Sequence, residues 1–135
     1  LPIQRQRVFD SFKDKGFTFT TVIHPSAVIA SDAEISEGAQ IMAGVIIQPG
    51  SRIGKNSIVN TKASVDHDCI IGDHVHIAPG VTISGGVRVG NGVHIGTGAI
   101  VIQGIDIADG SLVGAGSLVL KDIPSGTKVK GAPAR

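Results

Sequence analysis

The stretch Val22–Ile123 reads VIHPSA, VIASDA, EISEGA, QIMAGV, IIQPGS, RIGKNS, IVNTKA, SVDHDC, IIGDHV, HIAPGV, TISGGV, RVGNGV, HIGTGA, IVIQGI, DIADGS, LVGAGS, LVLKDI. It is 17 consecutive hexapeptides with no insertion or deletion. The second position is Ile or Val in all 17, and the sixth is always Ala, Ser, Val, Ile or Cys. The fifth is Gly in ten and Asp, Asn or His in five more. Each column has a physical meaning. Positions six, one and two form a short strand whose side chains point in, out and in, so the small and the β-branched columns share one interior. Positions three to five turn a corner, and the fifth calls for positive φ, which Gly adopts most readily and Asn or Asp next. A fixed short period of this kind predicts a parallel β-solenoid. Three hexapeptides close a triangular coil, so residue n stacks on n+18 with a rise of about 4.8 Å. The run makes nearly six coils.

The flanks are short. Residues 1–21 hold a predicted helix over 4–15 (QRQRVFDSFKDK), with Val8, Phe9 and Phe12 as its apolar stripe and Gly16 as its stop. Terminal repeats of solenoids need covering, so this helix is expected to cap the open end. The first residue is Leu rather than Met, which implies a segment upstream. Residues 124–135 break the repeat at Pro124 and read as an extended tail. Over 135 residues, 12 basic and 11 acidic side chains leave a net charge of +1, with no bias toward nucleic acid or membrane. The lone Cys69 rules out an internal disulfide and suits a reducing cytoplasm.

Sorting the outward first position by n+18 describes three faces. One carries Val28, Ile46, Ser64, Thr82, Ile100 and Leu118 and has no charge. The next carries Glu34, Arg52, Ile70, Arg88 and Asp106; the third carries Val22, Gln40, Ile58, His76, His94 and Leu112. An uncharged, largely apolar outer face marks a partner surface, and a threefold arrangement would bury it in a homotrimer. The two corners flanking that face would then meet across a subunit boundary. One corner carries His67, Gly85, Gln103 and Lys121, and the other Pro79, Thr97 and Ala115.

Of five histidines, His67 stands apart. It occupies a fourth-position corner between Asp66 and Asp68, where a carboxylate can fix the imidazole tautomer as a general base requires. A solvated corner is the other reading. His74 falls in the positive-φ column, a place where His is enriched. His24 reads as a plain corner residue; His76 and His94 stack 18 apart on the mixed face, where a surface ladder is the plain reading, and His94 is assigned to it. Cys69 lies in the inward sixth column and reads as a small core residue, so a covalent acyl-enzyme is not expected.

The block from Ala63 to Arg135 resembles the sialic acid O-acetyltransferase and bacillosamine (UDP-4-amino-sugar) N-acetyltransferase family of hexapeptide-repeat proteins. The likeness spans residues 5–135, and DHDC, HIAPG and the terminal GAPAR are its most specific parts. The resemblance implies a left-handed β-helix, an exception to the usual right-handed crossover. It also implies acetyl-CoA as co-substrate with no metal, and a sugar or nucleotide-sugar acceptor in bacterial glycan or polysaccharide biosynthesis. His67 matches that family's proton acceptor and Asp68 its acidic neighbour. His76 matches a residue that contacts acetyl-CoA, and Thr97 and Ala115 match positions whose backbone faces the pantetheine arm. Family members carry an N-terminal Rossmann-like domain, and residues 1–21 resemble its last helix and linker. On this reading His67 takes a proton from a sugar amine or hydroxyl that attacks the thioester directly. Two other classes fit the scaffold. Zinc carbonic anhydrases need paired-histidine rungs that are not seen here, and a non-catalytic solenoid trimer needs none of these residues.

Overall fold

The computed structural model describes residues 2–135: one helix, α1 (Pro2–Asp14), and 18 two-residue strands from β1 (Val22–Ile23) to β18 (Lys128–Val129). All strand pairs are parallel, and residue n pairs with n+18 from Val22↔Gln40 to Ile100↔Leu118. The strands sort into three sheets of seven, six and five, which form the faces of a left-handed triangular prism. The first face bears Val22 through Leu112, the second Val28 through Leu118, and the third Glu34 through Asp106. Every residue in the second and sixth columns from Ile41 to Val101 is buried. That is the outcome of a period-two strand stitched to a three-residue corner.

The corner geometry follows the predicted rule over most of its length. The fifth residue has positive φ in every rung from Gly38 to Gly116, including Asn56, Lys62, Asp68 and His74. From Asn56 on, its N–H points along the axis to the fourth-position carbonyl one coil earlier, as in His74 N to Lys55 O at 2.8 Å, whereas Gly44 and Gly50 donate to Ser26 Oγ and Asp32 Oδ1. Ser26, Asp32 and Asp122 depart from the rule and lie outside the left-handed region. They sit in the first two rungs and the last.

Helix α1 does not cap the solenoid's end. It lies lengthwise along the corner between the third and first faces. Its N-terminus is beside Asn91, His94 and Leu112, and Phe9 reaches Gly38 and His74. Thirteen residues at 1.5 Å each span about 20 Å, close to four coils at about 4.8 Å. The Arg5 guanidinium donates to Asn56 O at 2.6 Å and Val75 O at 3.3 Å. Lys13 Nζ meets Glu37 Oε1 at 2.9 Å, an oxygen that also accepts from Phe19 N–H. The expected apolar stripe is correspondingly narrower. Phe9 is buried, stacked on Phe19 at 4.7 Å, whereas Val8 and Phe12 are 55% and 41% exposed. The stop at Gly16 is as expected. Gly16 N–H donates to Lys13 O and Phe17 N–H to Phe12 O, with the Phe12 and Phe17 rings in edge contact, a Schellman closure.

The tail is less extended than its sequence suggests. β18 adds a seventh strand to the first face by pairing with β16 (Leu112–Val113), and Ala134 N–H donates to Leu118 O across the end of the coil. The tail covers the C-terminal end.

Phe9 is the helix's main apolar anchor. Phe9→Ala should therefore cost about 3 kcal/mol, as a buried Phe→Ala change typically does. Urea unfolding measures it, and a loss well under 1 kcal/mol would contradict the docking described.

Candidate active site

The fourth column is where a corner side chain projects from the prism, and the dyad His67–Asp68 stands there on the corner between the second and third faces. Asp66 Oδ1 accepts from the His67 backbone N–H at 2.7 Å and tightens the turn. Asp68, at φ 56°, swings its carboxylate back so that Oδ2 lies 3.0 Å from His67 Nδ1. An ionised carboxylate only accepts, so Nδ1 carries a proton toward it, and Nε2 is the ring nitrogen turned away from Asp68. Both side chains are open to solvent, 61% and 74% exposed.

Two glycines make room for the pair, and the sequence reading did not single them out for this. A Cβ on Gly85, one coil later, would come within 2.5 Å of His67 Nε2. A Cβ on Gly50, one coil earlier, would collide with Asp68 Oδ1. The imidazole therefore occupies the space that a side chain at position 85 would take. The signal was present as two glycines in the columns n±18 from the dyad.

Thr97 and Ala115 stack on the other corner of the second face. Neither backbone N–H finds an acceptor among the described residues. The contrast with the third corner is informative. There Asp73, Asn91 and Asp109 each accept the fourth-position N–H one coil earlier, at 2.8 Å. Thr97 and Ala115 have no such side chain above them, so their N–H groups are free to bind an acceptor brought from outside. Pro79, below them, offers none.

His76 lies on the first face next to this corner, half-buried, with its ring edge-on to His94 at 4.9 Å between centroids. Asn60 Oδ1 accepts from Thr61 N–H at 2.8 Å, which turns the Asn60 amide nitrogen toward His76 Nε2 at 3.3 Å. Nε2 is thereby an acceptor. Burial first, then the neighbouring His94, pushes the His76 pKa down to about 4, and burial lowers His94 too. His94, expected on a solvent-facing ladder, is instead half-buried against His76. His24 and His74 are the corner residues expected. His24 Nδ1 faces Ser26 N and Oγ, and His74, at φ 58°, takes a hydrogen bond from Asn56 Nδ2 at 3.0 Å. Cys69 is fully buried, and burial pushes its thiol pKa up.

One chain does not assemble all five residues. His67 and Asp68 border one edge of the second face, and Thr97, Ala115 and His76 lie toward the other. Among the described residues no group of three His, Cys, Asp or Glu side chains converges to hold a metal ion. No helix is long and apolar enough to cross a membrane.

Comparison with known proteins bears on the fold and the family. Residues 50–85, which include the dyad, fit the bacterial transferase hexapeptide (six repeats) family. The acetyltransferase domain of PglB from Neisseria gonorrhoeae superposes with a TM-score of 0.97 and 39% identity, over 99% of this chain and 65% of that one. The same domain is known in complex with acetyl coenzyme A. PerB from Caulobacter crescentus, in complex with CoA and GDP-perosamine, gives 0.97 and 41% over 99% and 65%. WeeI from Acinetobacter baumannii AYE gives 0.95 and 32% over 99% and 66%. The chain thus spans about two thirds of the length of the structures it resembles. No curated protein sequence matches it.

The His76 environment makes a pH prediction. The folded pKa is about 4 against an ordinary 6.5, so the unfolded chain binds more protons between those values. Stability is then full above about pH 6.5 and falls as pH drops toward 4. Histidine Cε1–H resonances followed by NMR should show His76 still neutral at pH 6, and His76→Asn should flatten the acid side of the Tm profile. A His76 midpoint at its ordinary value would contradict this burial.

Proposed function

We propose that this chain, a member of the hexapeptide-repeat left-handed β-helix family of sugar acetyltransferases, moves an acetyl group from acetyl-CoA to the amino group of a nucleotide-linked sugar. The observation that carries the reading is the dyad. An imidazole is oriented through Nδ1 by Asp68, presents Nε2 away from that carboxylate, and fits against Gly85, where a side chain would exclude it. The relatives support the rest. One is a perosamine N-acetyltransferase known with CoA and GDP-perosamine, which favours an amine acceptor over a hydroxyl.

In this mechanism the sugar nitrogen attacks the thioester carbonyl and a C–N bond forms. His67 Nε2 takes the proton that the nitrogen loses. The tetrahedral oxyanion then collapses, the C–S bond breaks, and the proton held on His67 is available to the departing thiolate. The free N–H groups of Thr97 and Ala115 hold amide oxygens of the pantetheine arm, and neutral His76 lies alongside it without repelling or attracting charge. The dyad and these donors lie on opposite edges of the uncharged second face. A homotrimer burying Val28, Ile46, Thr82, Ile100 and Leu118 brings the edge of one chain against the other edge of its neighbour. Val28, Ile46 and Ile100 are exposed in the single chain, as such an interface requires. Acetyl-CoA and nucleotide-sugars are cytoplasmic metabolites, which puts the reaction in that compartment.

General-base assistance contributes about 10²–10⁴-fold, so His67→Ala should lower kcat by about that factor. Its acetyl-CoA affinity by calorimetry should stay within a few-fold of wild type, because His67 acts on the acceptor. An unchanged kcat would remove His67 from the mechanism.

A further inference from the structure

The turn that carries the dyad is closed through a side-chain hydroxyl rather than directly by its own backbone. At several other corners the sixth-position N–H donates to the third-position carbonyl, as in Ala63 N to Asn60 O at 3.0 Å and Ala99 N to Gly96 O at 3.1 Å, whereas the 48–51 and 84–87 turns on the dyad's own corner lack that bond. Between Asp66 and Cys69 a hydroxyl stands in the way. Ser51, in the sixth column one coil earlier, donates to Asp66 O at 2.6 Å and accepts from Cys69 N–H at 3.1 Å. Ser51 is fully buried, so water does not compete for either bond. One coil on, Cys69 repeats half of this: its Sγ donates to Ser84 O at 3.1 Å, on the turn whose Gly85 supports the imidazole.

We propose that Ser51 is a positioning residue for His67 and Asp68. Its hydroxyl sets how far the 66–69 turn is open, and so where the ring and the carboxylate point. The inference rests on the acetyl-transfer reading of this site. Asp68 needs such support because a side-chain-bearing residue at positive φ is costly, and here the carboxylate must also stay 3.0 Å from Nδ1. Removing the oxygen leaves Asp66 C=O and Cys69 N–H to find each other, as Ala63 and Asn60 do. The turn narrows, and His67 is carried off Gly85. The protein contains its own control. Ser57 clasps the 72–75 turn in the same way, donating to Gly72 O at 2.7 Å and accepting from Val75 N–H at 3.0 Å, on the corner away from the dyad.

The test compares Ser51→Ala, Ser51→Cys and Ser57→Ala in the full chain. The first readout is the ¹⁵N signal of the His67 imidazole, and the second is kcat with acetyl-CoA and GDP-perosamine as probes. Ser51→Ala should lose the Nδ1–H hydrogen-bonded signature and drop kcat about 10–100-fold, the usual effect of misplacing a catalytic group by about 1 Å, with KM for acetyl-CoA unchanged. Ser57→Ala should lose a similar amount of thermal stability while the His67 signal and kcat stay at wild type. Ser51→Cys, with a longer and weaker donor, should fall between, which keeps the test available if the alanine variant does not fold. A His67 signal that is wild type in Ser51→Ala, or displaced equally in Ser57→Ala, overturns the proposal. A displaced ring in Ser51→Ala beside a wild-type chain that transfers no acetyl group would sink the acetyl-transfer reading and leave Ser51's hold on the ring standing.

Discussion

The coil-to-coil ladder constrains everything else. From Val22 to Leu118 strands pair with those 18 residues on, and from Asn56 to Gly116 the fifth-position N–H reaches the fourth-position carbonyl one coil earlier, as Gly98 N does to Pro79 O at 3.0 Å. Backbone in the other columns is committed to this stack, and a one-residue slip would turn every inward side chain outward. The fourth position alone combines a projecting side chain with an N–H that the ladder does not use. His67, Thr97 and Ala115 all occupy it. The fold therefore leaves one column for chemistry, and the proposed base and the proposed cofactor donors are both drawn from it.

Within that column, neighbours one coil away decide what a residue can do. Asp and Asn residues close the fourth-position amides on the third corner, whereas Thr97 and Ala115 are left open because nothing acidic stacks above them. Gly85 and Gly50 leave space into which the imidazole and its carboxylate fit. Gly96 does the same for the donor side, since a Cβ there would press on Ala115 N at 2.5 Å. Electrostatics follow the same logic. Solvent-exposed Asp68 orients His67, while half-buried His76 and His94 are held toward the neutral form beside one another.

Sequence reading works best where one residue's environment repeats. The interior columns, the faces, Gly16 as a helix stop and Cys69 as core were all legible because each depends on local periodicity or capping. Where α1 packs was not legible. Capping the open end satisfies the general need of a solenoid, but Phe9 finds its seat against Phe19 and His74, and Arg5 its carbonyls at Asn56 and Val75, 51 and 70 residues away. The half-burial of His94, read as part of a surface ladder, was missed for a related reason. Burial on an outward position comes from what packs over the face, and here Asn60 and the helix corner shield it. Ser51 looked like any small sixth-column residue; only its distances to Asp66 and Cys69 reveal its task.

The central claim is that the base and the cofactor donors come from different chains. It can be tested with two inactive variants. His67→Ala lacks the base. Ala115→Pro lacks the donor N–H yet fits its column, where Pro25, Pro49 and Pro79 already stand. Chains unfolded together and refolded as mixed trimers should recover about a quarter of wild-type turnover, because random pairing rebuilds one intact interface in about four. Turnover no higher than that of the two variants assayed separately would contradict a shared site.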